Sequence, residues 1–353
     1  METGSEQREG CEDPRKPARA RASIVLLPTS HVPRLPPLLP SPADVLAAAH
    51  RLRSVVERTP LVRSASLSAR TGVDTWLKCE NLQRTGSFKL RGATNALAEL
   101  AEAQRARGVV ASSAGNHGLG LAYAARALGV RARIFIPSTA PDVKRRGIAA
   151  LGAEVDDSAV DYDAAHHAAE GYARAHSMTF VNPCAGESLL AGQGTVAVEI
   201  IEELPSVNTF VVPVGGGGLV GGMAALVRAV APAARIVGVQ SEATNAMALS
   251  LAAGRVVHVD VIPTLADGLA GQVDDVGFAI GSVAIDAMIT VRETEIAEAM
   301  RWLAREHELR VEGSGAVATA ALLHGLVPDL AGPAVAVVSG GNVDDVRWRT
   351  IVE

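Results

Sequence analysis

Residues 210–219 read Phe210-Val211-Val212-Pro213-Val214-Gly215-Gly216-Gly217-Gly218-Leu219, an apolar run that ends in four consecutive glycines. Its first half has the length and β-branched content of a buried strand, and residues 219–230 continue with the spacing of a helix. Strand, glycines, then helix leaves backbone N–H groups free at the positive end of a helix, which suits an anion. Four glycines are costly in backbone entropy, and a plain tight turn needs one or two, so the run is expected to hold an anion. The same residues allow a rival reading. Gly216, Gly218 and Gly221 satisfy G-x-G-x-x-G, and Glu242 lies about twenty residues on, after the apolar run Arg235 to Val239, as in a dinucleotide fold. That reading makes the chain a nicotinamide oxidoreductase. A Walker-type phosphate loop is excluded, because no Gly-Lys pair occurs in the chain.

Outward from this turn, strand-like and helix-like patterns alternate from residue 43 onward. They predict helices over 43–56, 88–101, 118–128, 146–151, 162–176, 219–230 and 296–306. Strands are predicted over 75–79, 108–112, 131–136, 209–213, 235–239 and 334–338, with another beginning in 152–155. A second strand-to-helix turn, Ser113-Ala114-Gly115-Asn116-His117-Gly118, follows the strand ending at Ser112. The alternation implies an α/β fold with parallel sheets covered on both faces. The length favours two open, mostly parallel sheet domains with a cleft between them.

Of the 353 residues 48% are apolar but only 3% aromatic, and much of the apolar share is alanine, so helices are expected to pack closely through small side chains. The net charge of −5, with acids and bases interspersed, gives no basic field for nucleic acid. Cys11, Cys79 and Cys184 are too few and too scattered for a disulfide framework or a zinc cluster. Reduced thiols in a cytoplasmic protein are expected. No apolar run approaches the roughly 20 residues of a membrane helix. Residues 1–43, charged and then Pro-rich, are expected to form a disordered extension.

The stretch that bears on chemistry is Lys78-Cys79-Glu80-Asn81-Leu82-Gln83-Arg84-Thr85-Gly86-Ser87-Phe88-Lys89-Leu90-Arg91-Gly92-Ala93. Lys89 follows an aromatic residue at a helix start. A positive helix end and a low dielectric both lower a lysine pKa and free its amine as nucleophile and base. Periodicity alone gives a plainer reading, a solvated surface charge. Glu80, four residues, then Thr85 through Ala93 resembles the pyridoxal phosphate (PLP) attachment signature of the serine/threonine dehydratase family. Ser113 to His117, Gly215 to Leu219, and Ser339-Gly340-Gly341-Asn342 resemble that family's three other cofactor-site motifs, in the same order. The similarity spans residues 44 to 346. Four ordered motifs are far more specific than one glycine pattern.

The resemblance implies a fold type II PLP enzyme, tryptophan synthase beta-like, with the cofactor in the cleft. Residues 44–107 plus 188–353 would form the large PLP-binding domain and 108–187 the small one. Lys89 would form the Schiff base with PLP, and Phe88 would pack near its pyridine ring. Gly215, Gly216, Gly217, Gly218 and the Leu219 amide would bind the phosphate. Asn116 would meet the ring hydroxyl, Ser339 the pyridine nitrogen, and Glu312 would lie near the cofactor. The family usually has proline where this chain has Gly313. Ser113, Ala114, Gly115, Asn116 and His117 would close over the substrate carboxylate, with Asp267 and Gly268 as a further lining. The implied assembly is a homo-oligomer, a dimer or tetramer, acting on a small amino acid.

The implied reaction is β-elimination. PLP serves as the electron sink, the freed Lys89 amine takes the Cα proton, and the β-hydroxyl leaves. L-Threonine or L-serine would give a 2-oxo acid and ammonia. A neutral Ser339 would not hold the ring nitrogen protonated, which suits prompt elimination. Serine racemases carry a serine where this chain has Ala114, so racemisation is expected to be minor. Their two metal-binding carboxylates align with Gln240 and Ala246, so no divalent metal is expected. Sulfhydrylases have Thr-Gly or Gln-Gly where this chain has His117-Gly118. The chain ends soon after Asn342, which implies the short catabolic form without a regulatory domain. Other β-hydroxy amino acids (3-hydroxyaspartate, phenylserine), a racemase, a catalytically silent PLP-binding module and the nicotinamide enzyme remain as alternatives. His166 and His167 read as solvated, Cys79 and Cys184 as small apolar fillers, and Lys144-Arg145-Arg146 as a solvated helix face.

Overall fold

A computed structural model describes residues 24–26, 39–260 and 262–353. Along the chain the strands are β1 (Ile24–Leu26), β2 (Leu61–Arg63), β3 (Thr75–Cys79), β4 (Val109–Ser112), β5 (Ala132–Pro137), β6 (Glu154–Ala159), β7 (Thr179–Phe180), β8 (Thr209–Pro213), β9 (Arg235–Ser241), β10 (Ala287–Val291) and β11 (Ala334–Val338). The first helices are α1 (Pro42–Leu52), α2 (Ala65–Thr71), α3 (Lys89–Ala98), α4 (Glu102–Arg107), α5 (Asn116–Leu128), α6 (Asp142–Ala150) and α7 (Tyr162–Ala175). Then follow α8 (Glu187–Glu203), α9 (Gly218–Val230), α10 (Ala246–Ala253), α11 (Asp275–Ala284), α12 (Glu293–His307), α13 (Gly313–Leu323) and α14 (Asp345–Val352).

The larger sheet has seven strands in the order β1-β10-β9-β8-β11-β3-β2. Its five inner strands are parallel, and β1 and β2 flank them antiparallel. Every residue of β8, β10 and β11 is buried, which is why these strands read as unbroken apolar runs rather than as alternations. The smaller sheet is wholly parallel, in the order β6-β5-β4-β7. Two mostly parallel sheets with helical crossovers are the α/β architecture that the alternation implied.

Two boundaries differ from the sequence reading. Ile24–Leu26, expected to lie in a disordered extension over residues 1–43, pairs instead with β10 as an edge strand. Helix α1 then starts at Pro42, where Ser41 and Asp44 cap each other reciprocally. The second difference is α3. Leu90, Ala93 and Leu97 share a core with Val109, Ala111, Leu121, Ile134 and Ile136 of the smaller sheet and its helix. A division at residue 107 therefore cuts through one core.

Small residues set the helix spacing, as the alanine-rich composition suggested. Helix α8 is buried on every face from Leu189 to Ile200 and lies between α3 and α9. A Cβ on Gly192 would lie 2.6 Å from the Arg91 carbonyl and 2.7 Å from Gly92 Cα. On the other side, a Cβ on Gly222 would run into the Leu190 carbonyl. Gly222→Ala must push α9 off α8, and the expected loss is about 1–3 kcal/mol. Urea denaturation checks this; a midpoint equal to the wild type's would mean that the helices are not in contact there.

Candidate active site

Lys89 is the first residue of α3, and its aromatic neighbour Phe88 is the N-cap. The residue is half-buried. Its Nζ donates to the Pro183 carbonyl at 2.7 Å, lies 3.9 Å from Cys184 Sγ and sits 5.3 Å from the centre of the Phe88 ring. Two residues on, the fully buried Arg91 fixes α3 in place. Its guanidinium donates to Glu80 at 2.7 and 2.8 Å and to Glu199 at 2.7 and 2.9 Å. Lys78 completes the cluster, with Nζ 2.6 Å from Glu199 Oε2. Burial alone would raise the Glu80 pKa, but Arg91 outweighs it and holds the carboxyl below the usual range. The four charges balance, and losing one would leave a buried charge without a partner.

The tetraglycine turn lies on the far side of Cys184. A Cβ on Gly216 would be 2.9 Å from Cys184 Sγ, and one on Gly218 would be 3.1 Å from the Cys184 carbonyl. Gly217 takes φ +92°, a left-handed conformation open to glycine, and caps α9 without any side-chain hydrogen bond. Among the described residues, no side chain caps the first N–H groups of α9. Leu269 packs on Gly215, with its Cα 3.4 Å from the Cβ position, and Leu219 is buried in the first turn. Cys184, read from the sequence as a small filler rather than a nucleophile, lies between the Lys89 amine and the glycine turn. Its place comes from the loop, where Asn182 Oδ1 accepts from the Cys184 and Ala185 amides. No residue spacing announces such a turn.

A third group closes the site. The Ser339–Asn342 turn runs along Gly86–Phe88: Phe88 N donates to Ser339 O at 3.2 Å and Gly341 N to Gly86 O at 2.9 Å. Asn116 Nδ2 donates to Glu312 Oε1 at 2.7 Å, and Asn342 Nδ2 donates to Asn116 Oδ1 at 2.7 Å. Ser339 Oγ makes one long contact of 3.4 Å to the Ser314 carbonyl. Burial pushes the Glu312 carboxyl up to about 7, Asp267 adds to the rise, and the Asn116 bond opposes it. The Gly268 amide donates to Ser314 Oγ at 2.8 Å, and a Cβ on Gly268 would lie 3.8 Å from Glu312 Oε1. Gly313 stands where the Leu265 backbone leaves no room for a Cβ, a physical reason for the departure from proline.

The Ser113–His117 loop enters α5 beside these residues. Ser113 Oγ accepts from the Gly115 amide at 3.2 Å, while Ala114 offers only a methyl group. His117 is buried, with Nε2 3.1 Å from the Val181 carbonyl. A carbonyl only accepts, so Nε2 carries the proton. Burial first, then the nearby Lys89 charge, pushes the His117 pKa down to about 3. Thr85 Oγ1, Ser87 Oγ and His117 Nδ1 are buried without a partner among the described residues. Unmet polar atoms, an uncapped glycine turn and a lysine amine on one cleft fit a polar, phosphate-bearing group that a lysine can hold.

Residues 52–340 match the family described as pyridoxal-phosphate dependent enzyme. The chain belongs to this family. It is 44% identical over 303 residues to the L-threonine ammonia-lyase of Thermotoga maritima, covering 85% of this chain and 75% of that one. Among solved structures, the processed form of threonine deaminase isoform 2 from Solanum lycopersicum superposes with a TM-score of 0.85 at 30% identity, over 95% of this chain and 93% of that one. Maize serine racemase gives 0.84 at 31% identity, over 88% and 97%. The cofactor is pyridoxal phosphate, in a fold type II architecture, and the nicotinamide reading of Gly216, Gly218 and Gly221 falls away. Gly221 instead makes room for Ile280.

Other residues are engaged elsewhere. Gln240 Oε1 accepts from the Ala248 amide at 3.0 Å, so this side chain ties β9 to α10. His166 is not freely solvated but stands edge-on to Phe180 at 5.3 Å. Cys79 is buried in the core, its thiol pushed up to about 12 by burial.

Glu312 makes a pH prediction. Its folded pKa is raised from 4.5 to about 7, so between these values the folded chain keeps a proton that the unfolded chain has lost. Stability contributed by that proton falls as pH rises through the window. Glu312→Gln should abolish the fall, a difference in slope of up to about 1.4 kcal/mol per pH unit. Denaturation of the cofactor-free proteins from pH 4.5 to 8 measures it, and parallel curves would refute the raised pKa.

Proposed function

We propose that this protein is a threonine/serine ammonia-lyase, which eliminates ammonia from a small β-hydroxy amino acid and yields a 2-oxo acid. One observation carries the reading: the Lys89 amine and the uncapped tetraglycine turn flank a single residue, Cys184. The bound cofactor supplies an electron sink for the pair left at Cα. Lys89 would hold the cofactor covalently through Nζ, and its freed amine would accept the Cα proton. The Pro183 carbonyl keeps that Nζ in the cleft. Gly215, Gly216, Gly217, Gly218 and the Leu219 amide receive the phosphate at the positive end of α9. Phe88 would border the ring, Asn116 would face its hydroxyl with Glu312 behind, and Ser339 would offer the pyridine nitrogen a neutral partner. The backbone of Ser113, Ala114, Gly115, Asn116 and His117 grips the substrate carboxylate.

His117 is neutral and has no spare proton at physiological pH, so the proton that helps the hydroxyl leave comes from the cofactor phosphate or from Lys89. Ala114 cannot reprotonate the opposite face of Cα, which favours elimination over racemisation. We place the enzyme in the cytoplasm as a homo-oligomer, a dimer or tetramer, with residues 108–187 as the core of a small domain against a larger one.

The purified protein should be yellow, and Lys89→Ala should be colourless. L-Threonine and L-serine should give 2-oxo acid at rates at least about 100-fold lower in the variant. Assays with 3-hydroxyaspartate and phenylserine run alongside. A wild-type protein that takes up no pyridoxal phosphate, or that releases no ammonia from any of the four, would overturn the proposal.

A further inference from the structure

Asn342 belongs to the Ser339–Asn342 turn but has no role in the chemistry above. Its Nδ2 donates to two oxygens at once, the Thr85 carbonyl and Asn116 Oδ1, both at 2.7 Å. The order of donors and acceptors can be settled from one end. The Thr85 carbonyl can only accept, so the Asn342 atom facing it is the NH2 group. That NH2 group also faces Asn116, so Asn116 must turn its oxygen toward Asn342. The Asn116 NH2 group is then left to donate to Glu312 Oε1, 2.7 Å away. Asn116 has its amide fixed by partners on both sides, although an isolated amide rotates through 180° with little preference.

The backbone is shaped around this chain of bonds. Gly86 takes φ +71°, and a Cβ there would run into the Asn342 carboxamide. A Cβ on Gly340 would run into Glu312 Oε1 and would lie 3.2 Å from Asn116 Nδ2. Asn342 itself is exposed, so little core packing depends on it. Its two bonds join the segment that carries Lys89 to the helix that starts at Asn116.

We propose that Asn342 is a positioning residue that sets which end of the Asn116 amide points into the cofactor cleft. It acts through Asn116 and does not touch the cofactor. The inference rests on the proposed function, because Asn116 matters in this way only when a ring oxygen lies beside it. With Asn342 in place the cleft meets an NH2 donor backed by Glu312. Reversal would present a carbonyl oxygen to an oxygen of the bound group, and two acceptors repel.

Asn342→Asp reverses the demand. A carboxylate cannot donate to the Thr85 carbonyl and accepts from Asn116, which rotates the amide. The expected result is pyridoxal phosphate binding weakened by about 10-fold, the loss of roughly one hydrogen bond. The absorbance maximum of the bound cofactor should also shift. The cofactor-free variant should melt within about 4 °C of the wild type, the change associated with roughly 1 kcal/mol. At pH 8, where Glu312 has lost its proton and can only accept, adding Glu312→Gln supplies a donor to the rotated Asn116 oxygen. The double variant should therefore regain the wild-type melting temperature while its absorbance maximum stays shifted.

Wild-type affinity and absorbance in Asn342→Asp would overturn the inference. So would a double variant whose absorbance returns to the wild-type position. If Asn342→Asp does not fold, Asn342→Ala is read by the same two cofactor measurements. A wild-type protein that binds no pyridoxal phosphate defeats the proposed function instead, before Asn342 is tested.

Discussion

A lysine amine and the uncapped start of a helix meet across Cys184, and the other features of the site are arranged around that meeting. The contact is demanding because Lys89 and the tetraglycine turn are more than a hundred residues apart in sequence and sit on different helices. Helix α8 lies between α3 and α9, and the spacing is set by glycines at Gly192 and Gly222 rather than by side chains. The loop that precedes α8 supplies both the Pro183 carbonyl that accepts from Nζ and the cysteine that touches the glycines. One connection therefore positions both halves of the proposed cofactor site.

The buried charges explain why the lysine stays there. Arg91, Glu80, Glu199 and Lys78 form a neutral set of charges that joins α3 to β3 and to α8. Such a cluster adds little net stability over an apolar core, but breaking it is expensive, so it specifies one arrangement. On the opposite side of the cleft, burial works toward neutrality. Glu312 has its pKa raised and His117 has its pKa lowered, each by loss of solvent before any other cause. The lysine thus faces a cleft in which burial disfavours charge on both Glu312 and His117.

Much of this was legible in the sequence where backbone chemistry dictates it. The strand–glycine–helix turn at Gly215–Gly218 and the buried strands Thr75–Cys79, Thr209–Pro213 and Ala334–Val338 follow from apolar runs and turn residues. Helices α8 and α13 were not legible, because both are buried on nearly all sides and show no apolar stripe against a polar face. The strand Ile24–Leu26 was missed because three residues make no pattern until an edge such as β10 is there to pair with. Cys184 illustrates a deeper limit. Its role comes from a loop folded by Asn182 and from glycines of another element, neither of which leaves a local signal. The motif residues Asn116, Glu312 and Asn342 could be marked one by one, but the direction of the hydrogen bonds between them appears only in three dimensions.

The most direct test is chemical. Reducing the cofactor-loaded protein with borohydride and mapping the modified peptide by mass spectrometry identifies the amine that holds the cofactor. The account predicts a pyridoxyl group on the peptide containing Ser87-Phe88-Lys89-Leu90. Modification at Lys78 or Lys144 with Lys89 untouched would contradict it.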